Sequence, residues 1–71
     1  MIRQPVTSSN IASIGYDSDS QTLEIEFHTG AVYQYFGVPS SVHAELMQAS
    51  SHGKYFSLHI RKQYKYTRAP K

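Results

Sequence analysis

The chain has no cysteine, no tryptophan and no side-chain carboxylate beyond Glu45. Each gap excludes something. Without cysteine, neither a disulfide framework nor a thiolate metal site can support a small fold. Without tryptophan, the core must be built from six tyrosines, three phenylalanines and a few aliphatic side chains. Tyrosine suits a thin core, because its ring can be buried while its hydroxyl reaches water or a partner. No apolar run approaches the length of a bilayer span, so no membrane role is expected. The first residues, Met1 to Thr7, hold no signal-peptide core, which favours the cytoplasm. Seventy-one residues make one domain, expected to be a monomer, that buries only ~60% of its unfolded surface.

The missing carboxylates leave a lopsided charge. The first fifty-one residues hold Asp17, Asp19, Glu24, Glu26 and Glu45 against Arg3 alone, a net charge of −4. The last twenty hold Lys54, Arg61, Lys62, Lys65, Arg68 and Lys71, a net charge of +6. The formal total of +2 conceals this split. Such asymmetry points to a charged partner, often nucleic acid.

Along the chain, residues 1–7 are polar, contain Pro5 and read as a flexible arm; residues 8–68 read as the domain and 69–71 as a tail. Ile11 to Tyr16 is a moderate strand closed by the turn-rich Asp17-Ser18-Asp19-Ser20. Thr22 to His28 alternates without a fault, with Leu23, Ile25 and Phe27 on one face and Glu24 and Glu26 on the other. Thr29-Gly30 then turns the chain into Ala31 to Phe36. A two-residue loop would set Ile25 opposite Gln34 and bury an amide. A three-residue loop with Gly30 left-handed sets Phe27 opposite Ala31, Ile25 opposite Tyr33 and Leu23 opposite Tyr35, and is preferred. Pro39 suits a first helical turn with Ser40 and Ser41 as caps, and Val42, Leu46 and Ala49 form one stripe of a helix. Ser51 reads as the cap of a second helix, continuing through Phe56, Ile60 and Tyr64. Tyr64 to Thr67 alternates and can add a short strand. The expected fold is α+β: a three-stranded antiparallel meander, then two helices packed on one face, with a possible short C-terminal strand.

The ordered set Ser8-Ser9-x-Ile11-x-x-Ile14-Gly15-Tyr16-Asp17, Thr22-Leu23-x-Ile25-x-Phe27-x-x-Gly30, Tyr33-x-Tyr35-x-x-Val38-Pro39, Ala49-x-Ser51-x-Gly53-x-x-Phe56 and Ile60-Arg61-x-x-Tyr64 resembles the KTSC domain. That family is named from its occurrence at the C-terminus of some lysyl-tRNA synthetases, and it also occurs as stand-alone proteins of about this length. The resemblance spans residues 6–66. Ser57 departs from it, asparagine being expected there. The synthetase fusion implies tRNA or another RNA as partner; the family supplies no catalytic residue to carry over.

The basic C-terminal segment is the main functional candidate. On a helix over 52–65, Lys54, Arg61 and Lys65 share one side, while Phe56, Ile60 and Tyr64 face the sheet. With Lys62 beside them and Arg68 beyond, they form a phosphate-tracking surface, and Tyr55 and Tyr66 can stack on unpaired bases. The same pattern also fits a solvated basic face favoured by the helix dipole. Arg61 fits two roles equally: a bridge to Glu24, Glu26 or Asp17, or a ligand contact. Ser51, Gly53 and Lys54 at a helix start offer a weak anion site, though without the glycine and Lys-Ser/Thr spacing of a Walker loop. Tyr33 and Tyr35 are core in the preferred register; facing solvent, they would form an RNA-stacking platform.

No metal is expected, since His52 and His59 are about two helical turns apart, ~10 Å. No cofactor is expected either. Ser8-Ser9, Ser40-Ser41 and Ser50-Ser51 fall where turns and caps want serine, and a domain this small rarely encloses a catalytic pocket, so the chain reads as no enzyme. The leading reading is a non-catalytic module binding RNA electrostatically. The alternative is a protein-interaction module docking on an acidic surface of translation or transcription machinery.

Overall fold

The computed structural model describes residues 2–69. The alternating segment and its hairpin form the centre of the sheet, with β1 Arg3–Pro5, β2 Ile11–Asp17, β3 Thr22–Phe27 and β4 Val32–Tyr35 in chain order. Helices α1 Ser40–Gln48 and α2 His52–His59 follow, and β5 Tyr66–Ala69 closes the chain. All neighbouring pairs are antiparallel and the strand order is β1-β2-β3-β4-β5. The α+β class and the two helices match the sequence reading, but the meander does not have three strands. Four strands precede the helices and a fifth follows them.

The extra strand comes from the segment expected to be a flexible arm. Arg3 to Pro5 pair with Gly15 to Ser13 along the sheet edge. Its polar composition and Pro5 conceal it, yet an edge strand tolerates a proline whose missing N–H faces outward. Met1, Pro70 and Lys71, parts of the expected arm and tail, lie outside the described residues.

The hairpin register is the one that the apolar face requires. Leu23 pairs with Tyr35 and Ile25 with Tyr33. The Gly30 N–H donates to the Phe27 carbonyl and the Phe27 N–H to the Ala31 carbonyl, both at 2.9 Å. Gly30 has φ 94°, the left-handed geometry that glycine adopts without a Cβ clash. In β2 a bulge between Ile11 and Ser13 does similar work. Ile11 and Ile14 are an odd number of residues apart, so a regular strand would send them to opposite faces. The extra residue returns both to the core, opposite Phe27 and Ile25.

Both helices cover this one face. Leu46 from α1, Phe56 from α2 and Ile60 just past it are buried with Ile11, Ile14, Leu23, Ile25, Tyr35 and Val38. Two helix ends differ from expectation. The N-cap of α1 is Pro39, without a side-chain cap, so Ser40 and Ser41 lie inside the helix and are not caps. Ser51 does cap α2, accepting from the Lys54 N–H at 3.3 Å. That helix stops at His59, several residues short of the expected 65. The Ile60 and Arg61 N–H groups both donate to the Phe56 carbonyl at 3.0 Å, and Gln63 N–H closes a turn on Ile60. Ending there frees the chain to return as β5, whose ladder satisfies the β4 edge.

Candidate nucleic-acid interface

The early stop of α2 decides where the cations go. Lys54 stays in the first turn of the helix, while Arg61 and Lys62 lie in the turn after it and Lys65 in the link to β5. The expected stripe of Lys54, Arg61 and Lys65 along one helix therefore does not exist; its members sit on three consecutive pieces of backbone. What replaces it is a groove of about 900 Å³ between the hairpin end, the β1–β2 loop, α2 and the turn beyond. Arg61 and Lys62 line it, with Tyr33, Tyr64 and Tyr66 as its aromatic surfaces.

The sheet register builds the aromatic floor. Tyr35 is opposite Tyr66, and Tyr33 is opposite Arg68, so all four share the helix-covered face. β5 is the edge strand, and Tyr66 on it is 57% exposed against 4% for Tyr35. The Tyr66 ring lies 5.4 Å from that of Tyr35 and 5.7 Å from that of Tyr33. Phe56 supports the cluster from α2, edge-on to Tyr35 at 5.3 Å and to Phe27 at 5.6 Å. Burial first, then the neighbouring Tyr66 and Tyr33 hydroxyls, push the Tyr35 hydroxyl up to about 12, and the Arg61 guanidinium pulls against that shift. Tyr35 is core, as the register argument requires, and Tyr33 is half-buried beside it.

Lys54, Arg61, Lys62, Lys65 and Arg68 are all exposed. Among the described residues the one ion pair is Arg3 to Glu24 at 3.6 Å, so none of the five is neutralised. No ion pair joins Arg61 to Glu24, Glu26 or Asp17 among the described residues. The carboxylates that it might have bridged are occupied elsewhere: Glu24 by Arg3 and the Gln34 amide, Glu26 by the Ser13 hydroxyl, Asp17 by the Asp19 N–H and the Ser20 hydroxyl.

Of the expected members, Ser51, Lys54, Tyr55, Lys65 and Arg68 do not line the groove. Tyr55 is half-buried, its hydroxyl donates to Glu45 of α1 at 3.3 Å, and its ring packs on His59 at 4.6 Å. Burial and Glu45 together raise its hydroxyl pKa. Lys54 does not line the groove, and the Ser51–Lys54 contact is an ordinary cap, with the Ser51 hydroxyl turned to the helix N–H. Gly53 packs beside the β1–β2 loop, where an added Cβ would lie 3.4 Å from the Asn10 amide nitrogen and 3.7 Å from the Ser8 hydroxyl.

Other lining residues escaped the sequence reading. Asn10, His28 and Ser57 bring polar groups to the wall. Their positions depend on the β1–β2 loop, where the Ser8 hydroxyl accepts from the Asn10 and Ile11 N–H groups at 3.3 Å and the His28 ring meets the Ser8 carbonyl at 2.8 Å. Asn10 and His28 stand at unspecified positions of the family pattern, and Ser57 drew notice only as a departure from asparagine, so no sequence signal marked them as groove residues. Among the described residues no three metal-ligating side chains come together, and no helix is long and apolar enough to cross a membrane.

Comparison with known proteins now bears on this geometry. The KTSC domain family matches residues 7–64. The chain belongs to that family. The crystal structure of a KTSC domain protein from Yersinia pestis superposes with a TM-score of 0.95 at 43% identity, covering 97% of each chain. A protein of Stutzerimonas stutzeri, described only as uncharacterized, is 42% identical over 69 residues, 96% of this chain and 97% of its own length. A lysine–tRNA ligase of Trichormus variabilis is 47% identical over 58 residues, which is 82% of this chain but 10% of the ligase. The KTSC fold thus occurs both at the length of this chain and as one tenth of a much larger enzyme.

Proposed function

We propose that this KTSC protein is a non-catalytic module that binds RNA through the basic rim of its groove. The observation that carries the reading is the set of five exposed cations, Lys54, Arg61, Lys62, Lys65 and Arg68, none of them paired with a carboxylate among the described residues. Two of them stand directly on an aromatic-lined groove. A phosphate backbone neutralises such a cluster and releases counterions on doing so. The lysine–tRNA ligase relatives add support, since there a similar segment belongs to an enzyme named for tRNA.

A titration followed by amide NMR, with mixed cellular tRNA at ~50 and ~200 mM salt, tests the reading. Five phosphate contacts predict an affinity loss of ~100-fold or more over that range. Shifts confined to residues 53–68 and the groove walls, fading with salt, are the expected result. No shifts at the lower salt would overturn it and leave an acidic protein surface as the partner to seek.

A further inference from the structure

Resting on that reading, we infer that the groove takes an unpaired nucleobase, stacked on Tyr66, while Arg61 and Lys62 hold the adjoining phosphates; the module therefore selects single-stranded over duplex RNA. Three observations converge on this. The groove, about 900 Å³, falls in the ~300–1,000 Å³ range of small-ligand sites, far more than a phosphate contact needs. An exposed aromatic ring is present at the groove edge: Tyr66 is 57% exposed and held at 5.4 and 5.7 Å against Tyr35 and Tyr33. Cations share its groove and its sheet face. Arg61 and Lys62 line the same groove, and Arg68 is opposite Tyr33 on the sheet face that Tyr66 also occupies.

Chemistry separates the two kinds of RNA here. A duplex offers phosphates and groove edges but keeps its base faces stacked, so it engages the rim and leaves Tyr66 idle. A single strand can turn one base onto the ring and still lay its phosphates on the cations. Asn10 and Ser57 also line the groove and carry an amide and a hydroxyl able to hydrogen-bond a base edge. The β4–β5 ladder fixes the Tyr66 backbone, and its ring lies against those of Tyr33 and Tyr35.

The test compares three fluorescein-labelled RNA probes of one length at ~50 mM salt by anisotropy. These are an unstructured single strand, the same strand annealed to its complement, and a strand with abasic sites at its central positions. The single strand should bind roughly ten-fold more tightly than the abasic strand, which keeps every phosphate and lacks the central bases. The duplex should also bind more weakly than the single strand. Tyr66→Ala should abolish the preference, Tyr66→Phe should keep it, and Arg61→Gln should weaken all three probes. Equal binding of the single and abasic strands overturns the inference while the phosphate reading survives. Binding of none overturns both. Should Tyr66→Ala fail to fold, the abasic comparison on the native chain decides by itself.

Discussion

The two faces of the sheet treat charge in opposite ways. On the open face, Arg3, Gly15, Glu24, Gln34 and Thr67 form one row across all five strands. Gly15 carries no side chain, so the Arg3 guanidinium crosses it to reach Glu24, which also accepts from the Gln34 amide at 2.9 Å. One step along, the buried Ser13 hydroxyl donates to Glu26 at 2.7 Å. On the groove side, Arg61, Lys62, Lys65 and Arg68 are exposed and meet no carboxylate among the described residues. Charges that hold strands together come with partners already in place. The charges left single lie on the groove side, and the proposed RNA contact rests on them.

Phe56→Ala should have the largest effect, because both regions depend on the core behind them. Its ring meets Phe27 and Tyr35 edge-on beneath the groove. Removing it should cost ~3–5 kcal/mol, most of the stability that a domain of this size holds. Chemical denaturation measures it, and a loss under 1 kcal/mol would mean the groove floor is not part of the core. The next test is a crossover. Arg61→Gln with Lys62→Gln should leave the denaturation midpoint almost unmoved and flatten the slope of log affinity against log salt by ~1.4. Glu24→Ala with Glu26→Ala should do the reverse, leaving RNA affinity alone and costing ~1–3 kcal/mol as the Ser13 hydroxyl and Gln34 amide lose their partner. If both pairs change both quantities, the division of labour between the faces is wrong.

Gly30→Ala comes next, at ~1–2 kcal/mol for a Cβ placed at φ 94°, read as a lower melting temperature. That prediction was available from the sequence, because faultless alternation from Leu23 to Phe27 and a single glycine leave one register that buries Tyr33 and Tyr35. The rest was less legible, for physical reasons. Ile11 and Ile14 point to opposite faces until a bulge is introduced, and no local signal announces the bulge. Arg3 to Pro5 have no alternation to detect. Between Gly53 and Pro70 there is neither glycine nor proline, so nothing local stops α2 at His59; the stop comes from pairing of β5 with β4, a tertiary gain that overrides propensity. The groove inherits that difficulty. Asn10, His28, Ser57 and Arg61 meet only after four separate segments have folded, and the helical stripe that sequence spacing offered in its place depended on a helix that ends too early.

The smallest effect concerns a charge that the fold keeps from forming. His43 of α1 stacks on Tyr16 of β2, ring centroids 4.5 Å apart and planes within 8°, while the Tyr16 hydroxyl donates to the Val38 carbonyl at 2.6 Å. Burial lowers the His43 pKa below its ordinary value. Above ~pH 6.5 the folded and unfolded chains both hold a neutral ring, and this group adds no pH dependence. As the pH falls below that point the unfolded chain takes up the proton first, so stability declines until the lowered folded pKa is passed. His43→Phe keeps a ring on Tyr16 and removes the titration. The other three histidines are common to both proteins and cancel in the difference. Denaturation midpoints at pH 7.5 and pH 5.5 should therefore fall further apart for the native chain than for the variant. Equal spacing would mean that His43 is as easily protonated folded as unfolded.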